Sequence, residues 1–377
     1  MLADQLPLPY NEHKRNTSMQ KRIVAHFDMD AFFAAIEERD NPRFRGMPIV
    51  VGADPQRGSG RGVVSTANYA ARAFGIGSAM PITRAWKLAQ LAQQRGEPAT
   101  IFLPGSWRRY NESSDRIMAI VKKLTPMMQQ RSVDEAYADI SHVGSTEAAT
   151  ALARKIKEEI AATEKLTCSV GIGPNKLVAK IASDFDKPDG FTIVDESAVE
   201  QFLAPLPVRA IPGIGPKTEE RLKEIGVATI KDLYRQSEND LIEKFGSWGE
   251  ELYRKARGLD DRPVMEEYVR KSIGEQQTFP KDVSDAGVVI QTMSEVVRSV
   301  FSLLQDKGYT GARTVVITVR FHDFETISSM HTVKETMVDS LTVEREAIRL
   351  LLPFLDMRRN PKKKPLRLVG VRLEKLE

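Results

Sequence analysis

A single cysteine, Cys168, occurs in 377 residues, which excludes a disulfide framework, a cysteine-built zinc finger and an iron–sulfur centre. So low a content fits a reducing compartment. Long hydrophobic runs are also missing. No stretch approaches the roughly 18 consecutive apolar residues of a membrane span, and the opening MLADQLPLPYNEHKRNTSMQ lacks the apolar centre of a secretory signal. The expectation is a cytoplasmic protein with no membrane partner. Neither sign of charge dominates: 55 basic against 51 acidic residues leave +4, which permits a nucleic-acid partner without requiring one. None of the five histidines has a zinc-ligand spacing, so His26 and the rest default to structural or surface roles. With 41% hydrophobic and 28% charged residues, disordered and collagen-like classes are excluded, and the length suggests roughly two to four domains.

Residues 1–20 read as a flexible extension, with folded structure beginning at Lys21. RIVAHFD, residues 22–28, is a short strand delivering an acid at its tip, and the helical FFAAIEERD follows. MPIVVGAD and GVVST read as strands around the glycine-rich loop 54–62, before the helix ANYAARAFG. Then come helix Trp86–Gln94, strand IFLPGS, helix Trp107–Leu124, the strand-like RSVDEAYADIS, helix Thr146–Thr163, strand LTCSVGIG and helix NKLVAKIASDF. Such alternation predicts a mixed α/β layer. Composition changes near residue 205 to a small all-α unit reaching Gly258; Asp260–Arg270 reads as a tether. A last α+β domain follows, with 17 basic and 14 acidic residues from Lys271 to Glu377.

The acids that could carry chemistry are Asp28 and Asp30 in FDMDAFF and Asp134 and Glu135 in SVDEAY. Acids at i and i+2 of a strand share a face, whereas adjacent acids do not unless a bend realigns them. Carboxylates on neighbouring strand tips suit Mg²⁺, and paired ions support phosphoryl or nucleotidyl transfer. On spacing alone, solvated turn acids are an equal alternative. Tyr69 and Arg72, at i and i+3 of a helix, share a face. With Thr66 and Lys187 they offer donors to a phosphate chain, or are ordinary surface residues. Phe32 and Phe33 fit a core as readily as a site. IPGIGPKTEERLKEIG, Ile211–Gly226, reads as a helix-hairpin-helix, with Gly213 and Gly215 in a tight turn and an anion-binding helix N-terminus beyond; a plain helix-turn is the alternative. Lys244–Gly258 resembles a degenerate second copy, whose Trp248 fits a core or a DNA face equally. GIGPNK fails the phosphate-loop pattern, so Gly171, Gly173 and Pro174 read as a strand-to-helix turn, with Cys168 a small core residue before it. RRNPKKKP, Arg358–Pro365, with Arg313, Arg320, Arg367 and Arg372, is ordinarily a solvated basic surface.

Taken in order, FDMDAFFAAIE, VVSTANYAARAFGIGSAMP, SVDEAYADIS, CSVGIGPNKLVAKIASDFDKPDG and IPGIGPKTEERL resemble the successive motifs of Y-family translesion DNA polymerases of the DinB-like (polymerase IV) branch, over Lys21 to Glu377. The resemblance implies that Asp28 and Asp134 bridge two Mg²⁺ ions, with Mn²⁺ as a substitute. It further implies that Glu135 completes the site holding the primer 3′-hydroxyl and that the Met29 backbone carbonyl is a further ligand. Asp30 is then not a ligand, although pleat logic alone pairs it with Asp28. Thr66, Tyr69, Arg72 and Lys187 would grip the triphosphate of the incoming dNTP and neutralise its developing charge. Phe33 would be the steric gate against a ribose 2′-hydroxyl, over a floor that includes Phe32. Gly213, Gly215 and Lys217, with Arg313, Arg320 and Arg367, would hold DNA phosphates in a salt-sensitive way.

The implied architecture is a right-hand polymerase: an α+β palm from 21–31 and 98–194, small fingers 32–97, a helical thumb 195–258, a tether 259–270 and an α+β little finger 271–377. No segment remains for a proofreading exonuclease. Small Val63 and Ser65 suggest a roomy site, so low fidelity and lesion bypass are expected. The implied partners are primer–template DNA, dNTP and a sliding clamp acting on a monomer, although RLEKLE carries no glutamine-plus-aromatic clamp tail. A non-catalytic DNA-binding scaffold is disfavoured by the intact Asp28, Asp134 and Glu135. A nucleotidyl cyclase leaves the helix-hairpin-helix and the basic last domain without a role.

Overall fold

The computed structural model describes residues 22–266, 269–356 and 358–377; the extension expected over 1–20 and the start expected at Lys21 lie outside them. The chain forms two compact units. One takes the described residues of Met1–Gly52, Val64–Ala79 and Leu88–Glu267, the other those of Ala53–Val63, Met80–Lys87 and Tyr268–Glu377. The segment 32–97, expected as one fingers domain, is thus shared between them. The reason is local: Arg61 in the glycine-rich loop pairs with Asp282 at 2.7 Å and donates to the Phe279 carbonyl, all within the second unit.

The first unit is built on a five-stranded sheet in the order Met127–Gln130, Glu135–Asp139, Val24–Met29, Cys168–Gly173, Phe191–Ile193. All its pairings are antiparallel except the last. The central strand VAHFDM is buried along its whole length, as a strand covered on both faces must be. Its alternation divides the work. Ala25, Phe27 and Met29 join the core beneath helices Trp107–Leu124 and Thr146–Glu164, where each fully buried aliphatic or aromatic side chain is worth about 1.5–3 kcal/mol. Val24 packs on Ala179 and His26 bonds Ser183, so the even positions face helix Lys176–Phe185.

That helix lies close because Gly171 and Gly173 have no side chains. A Cβ on Gly171 would stand 2.1 Å from the Ala179 carbonyl oxygen. Both glycines, expected in a strand-to-helix turn, are inside the strand instead, a place where glycine marks close backbone approach. The Asn175 side chain caps the helix by accepting from Val178.

Ile101–Leu103, expected within the palm segment, pairs parallel with Ile49–Gly52, which in turn pairs antiparallel with Val64–Ala67 in a separate small sheet. Beyond residue 195 the unit is helical, packed around Ile211, Leu222, Leu233, Leu241 and Leu252. Residues 259–264, expected in a free tether, are anchored: Lys176 donates to the Pro263 carbonyl at 2.8 Å, Arg22 to that of Arg262 at 2.6 Å, and Val264 is buried beside Val24.

The second unit carries an antiparallel sheet in the order Thr326–Met337, Ala312–Phe321, Leu366–Leu376, Ser272–Val283. Helices Ala286–Asp306 and Ser340–Leu355 share its core with Val315, Ile317, Val369 and Val371. By length and composition alone Ala286–Asp306 could cross a membrane, against the expectation that no stretch comes close; half of its apolar window is buried in the fold, as in an amphipathic core helix.

Candidate active site

Asp28 sits opposite Glu135 on one neighbouring strand and Ser169 on the other. It is 4% exposed. Across from it, Lys180 on the close-packed helix reaches the Asp28 carboxylate at 2.5 Å, that of Glu135 at 2.7 Å and that of Asp184 at 3.2 Å. Lys187 takes the second Asp28 oxygen at 2.7 Å and Asp184 at 2.8 Å. Lys180 and Asp184 escaped the sequence reading. Their signal is Lys180, Asp184 and Lys187 spaced by four and three in KIASDFDK, the spacing that places side chains on one helical face.

Burial pushes the Asp28 carboxyl up, but the Lys180 and Lys187 ammoniums outweigh it and hold it at about 2. Glu135 moves the other way: burial and the neighbouring Asp28 raise it against the pull of Lys180. Burial alone would lower Lys180, and the carboxylates of Asp28, Asp184 and Glu135 together raise it. His26, buried beneath this cluster, is kept well below its ordinary value by burial first and by Lys180 second.

The other acids take different positions. Asp134 precedes strand Glu135–Asp139; its carbonyl accepts from the Met29 amide at 3.0 Å and its carboxylate from the Ser132 hydroxyl at 2.5 Å. Asp30 lies past the strand end, beside Ala31 in the left-handed region at φ 46°, a conformation uncommon outside glycine. Its carboxylate accepts from the Thr167 and Ser169 hydroxyls at 2.8 Å each, from the Asp189 amide at 2.9 Å and from the Tyr69 hydroxyl at 3.4 Å. Four donors saturate Asp30, so the i, i+2 pairing of Asp28 with Asp30 does not form; Asp28 finds Glu135 instead. Among the described residues, no three acid or histidine side chains are gathered as a finished metal cage. The donor set nevertheless fits a hard cation, since Asp28 and Glu135 already converge on one positive charge.

Tyr69 and Arg72 share a short helix capped by the Asn68 side chain. The Arg72 guanidinium lies 4.7 Å from the Tyr69 ring centre and donates to the Ala67 carbonyl at 2.9 Å. Burial, with Asp30 behind it, pushes the Tyr69 hydroxyl up to about 12. Thr66 is paired opposite Val51. Tyr69 and Lys187 therefore both touch the acid cluster, one through Asp30 and one through Asp28.

Residues 27–184 match the impB/mucB/samB family, 270–377 that family's C-terminal domain, and 209–260 the DNA polymerase-iota thumb domain. The chain is 44% identical to DNA polymerase IV of Methanoculleus marisnigri over 94% of its own length and 95% of the relative's. It is 41% identical to DNA polymerase IV 2 of Methanosarcina mazei, over 98% and 96%. This chain belongs to the Y family of DNA polymerases, in the DinB-like branch. Among solved structures it is similar to a Y-family polymerase chimera of Dbh and Dpo4, with TM-score 0.80 and 31% identity over 94% of this chain and 99% of that one. It is also similar to an insertion ternary complex of Dbh DNA polymerase, with TM-score 0.63 and 30% identity over the same shares. The activity is accordingly that of a low-fidelity, translesion DNA-directed DNA polymerase, acting with DNA and dNTP and dependent on divalent metal in general.

In this Y-family chain Phe32 is buried and Phe33 only partly so. Phe33 stacks on Tyr110 with ring centres 4.5 Å apart and planes 16° from parallel, and Trp107 meets it edge-on at 5.4 Å. Sequence reasoning missed both partners, which lie more than seventy residues away on helix Trp107–Leu124. Gly213, at φ 100°, turns the first thumb hairpin over Trp248, and Lys255 reaches the Pro212 carbonyl at 3.3 Å. Trp248 is partly buried and packs against the thumb core. Gly215 caps helix Pro216–Glu224 without a side-chain bond, and Lys217 is exposed in its first turn. In the second unit Arg320 donates to the Thr326 hydroxyl, Arg313 pairs with Glu377, and Arg367 lies over the Phe324 ring.

Proposed function

We propose that Asp28, Asp134 and Glu135 are the catalytic carboxylates of this polymerase and, with the Met29 carbonyl, the holders of two Mg²⁺ ions, which Mn²⁺ can replace. The observation carrying this reading is that Asp28 and Glu135 share a single cation, Lys180. Bound ions would supply Lewis-acid stabilisation of the attacking and leaving oxygens. The protein's part is to hold the three acids at the ends of adjacent segments and to keep Asp28 ionised through Lys180 and Lys187. Tyr69, Arg72, Thr66 and Lys187 then receive the triphosphate, Arg72 with a forked donor and Lys187 as a point charge. Release of these lysines from the acids leaves them free for phosphate oxygens, and we add Lys180 to that group.

Phe33 serves as the sugar gate, with Phe32 beneath it. The thumb contributes Gly213, Gly215 and Lys217 to DNA phosphates, and the little finger Arg320 and Arg367. Arg313 contributes only if its pair with Glu377 opens. The thumb over 195–258 and the little finger over 271–377 are supported by the helical stretch and by the four-stranded sheet that follows it. A cytoplasmic monomer working with a sliding clamp completes the reading, which rests here on the family alone.

Primer extension with Mg²⁺ and all four dNTPs, run beside Asp134→Ala, is the test. Short, distributive addition by the parent and none by the variant, with DNA gel shifts equal, supports the assignment; extension by Asp134→Ala overturns it.

A further inference from the structure

Phe33 stacks on Tyr110, whose hydroxyl bonds a buried carboxylate, Glu37, that the catalytic reading leaves unused. Glu37 lies four residues beyond Phe33 on helix Phe32–Asp40, hence on the same face, and is only 4% exposed. A single carboxylate oxygen, Oε1, accepts from the Tyr110 hydroxyl at 2.6 Å and from the Arg109 guanidinium at 2.6 Å. Arg109 in turn bonds Asp40 at 3.1 Å, and Asp40 accepts from Arg39 at 2.8 Å. The Tyr110 oxygen lies on the long axis of its ring, so holding the hydroxyl of this 1%-exposed side chain fixes where that axis points and hence where the ring sits. That ring is the surface on which Phe33 stacks. Charge-assisted bonds to a buried carboxylate are short, directional and costly to leave unmade.

We propose that Glu37 is a positioning residue for sugar selection: acting through Tyr110, it places the ring against which Phe33 stacks and so the position of the gate that excludes ribonucleotides. The inference rests on the gate reading of Phe33. Glu37 touches neither substrate nor reacting atoms, so its signature is a changed ratio between two substrates rather than a common loss of rate.

The test compares kcat/KM for dCTP and rCTP opposite a template guanine in the parent, Phe33→Ala, Glu37→Leu, Glu37→Gln and Tyr110→Phe. Glu37→Leu should lower the dCTP preference by about tenfold, the factor that accompanies one lost charge-assisted hydrogen bond. Tyr110→Phe, which removes only the hydroxyl, should lower it in the same direction. Glu37→Gln, which keeps an oxygen acceptor, should restore it to near the parent value. Where Glu37→Leu fails to fold, Tyr110→Phe decides. Parallel loss for both nucleotides, or an unchanged ratio in Tyr110→Phe while Phe33→Ala relaxes it, overturns the role of Glu37 alone. An unchanged ratio in Phe33→Ala overturns the gate reading and the proposal with it.

Discussion

Replacing Lys180 with methionine tests how much its ammonium contributes to holding Asp28 and Glu135 together. Lys180 bridges Asp28 and Glu135 with 16% of its side chain exposed. Asp28 is held at about 2 against an ordinary 3.8, a depression worth on the order of 2 kcal/mol net of the burial that opposes it. Lys187 stays on the other Asp28 oxygen, so the variant loses part of that term and the partner of Glu135. A cost of about 2–3 kcal/mol follows, below the roughly 3–5 kcal/mol of a fully broken buried pair. At pH 7 both charges are on their plateaus. A depressed carboxyl stabilises above its unfolded pKa and loses the contribution only as pH falls through its folded value; a raised lysine stabilises below its unfolded pKa and loses the contribution only as pH rises through its folded one. Saturating Mg²⁺ balances the same carboxylates, so the cost of the substitution there should shrink to about 1 kcal/mol, the scale of a partly screened pair. Linkage then requires the difference, about 1.5 kcal/mol, to reappear as roughly tenfold tighter ion binding by the variant. Urea unfolding in EDTA and in Mg²⁺, with calorimetric Mg²⁺ titration in the absence of DNA and nucleotide, measures both sides of the cycle. Equal destabilisation in the two conditions, or weaker ion binding by Lys180→Met, would refute the reasoning.

Arg72→Ala should raise the dNTP KM by about tenfold, one charge-assisted bond's worth, with primer–template affinity unchanged; steady-state extension kinetics and a gel shift separate the two. Gly171→Ala, whose Cβ would stand 2.1 Å from the Ala179 carbonyl, should cost about 3 kcal/mol of overpacking and depress extension through the displaced Lys180; a variant melting like the parent contradicts this close approach. Because buried His26 is kept neutral, its contribution is full above about pH 6.5 and is lost on acidification at up to about 1.4 kcal/mol per pH unit, so His26→Gln should flatten the fall in unfolding free energy between pH 6.5 and 5. Arg320→Ala should reduce the slope of log affinity against log salt by about one if Arg320 meets a phosphate; an unchanged slope removes it from the DNA surface.

How legible the molecule was in its sequence depended on the range of the interaction. The central strand was readable from RIVAHFD because burial on both faces writes a continuous apolar run, and helix Trp107–Leu124 because its period is local. The edge strands Met127–Gln130 and Phe191–Ile193 left no such trace, since half-exposed edges carry mixed polarity. Asp28 and Glu135 were nameable as motif acids, but their meeting across a strand pair is a register, set by the whole sheet. Asp30 shows the limit of pleat logic: it lies past the end of the strand, where regular alternation no longer holds, and four donors hold its carboxylate. Lys180 went unread because a lysine on a helix is ordinarily solvated, and only the missing side chains of Gly171 and Gly173 bring that helix against the acids.

The same strand alternation that gives the palm its core thus also supplies its chemistry. Odd positions of VAHFDM pack under two helices; even positions end in an acid facing a helix whose lysines match its charge. Two facing carboxylates, Asp28 and Glu135, would ordinarily repel and raise one another's pKa. Here the ammoniums of Lys180 and Lys187 keep Asp28 ionised and its strand tip ordered beforehand. On the proposed assignment, binding of ions and nucleotide is an exchange rather than a new burial of charge: lysines leave carboxylates and turn to phosphates, so the number of close opposite-charge contacts is nearly conserved. Such an exchange reduces the desolvation that would otherwise oppose each turnover, and it ties nucleotide affinity to the lysines that pair with Asp28 and Glu135.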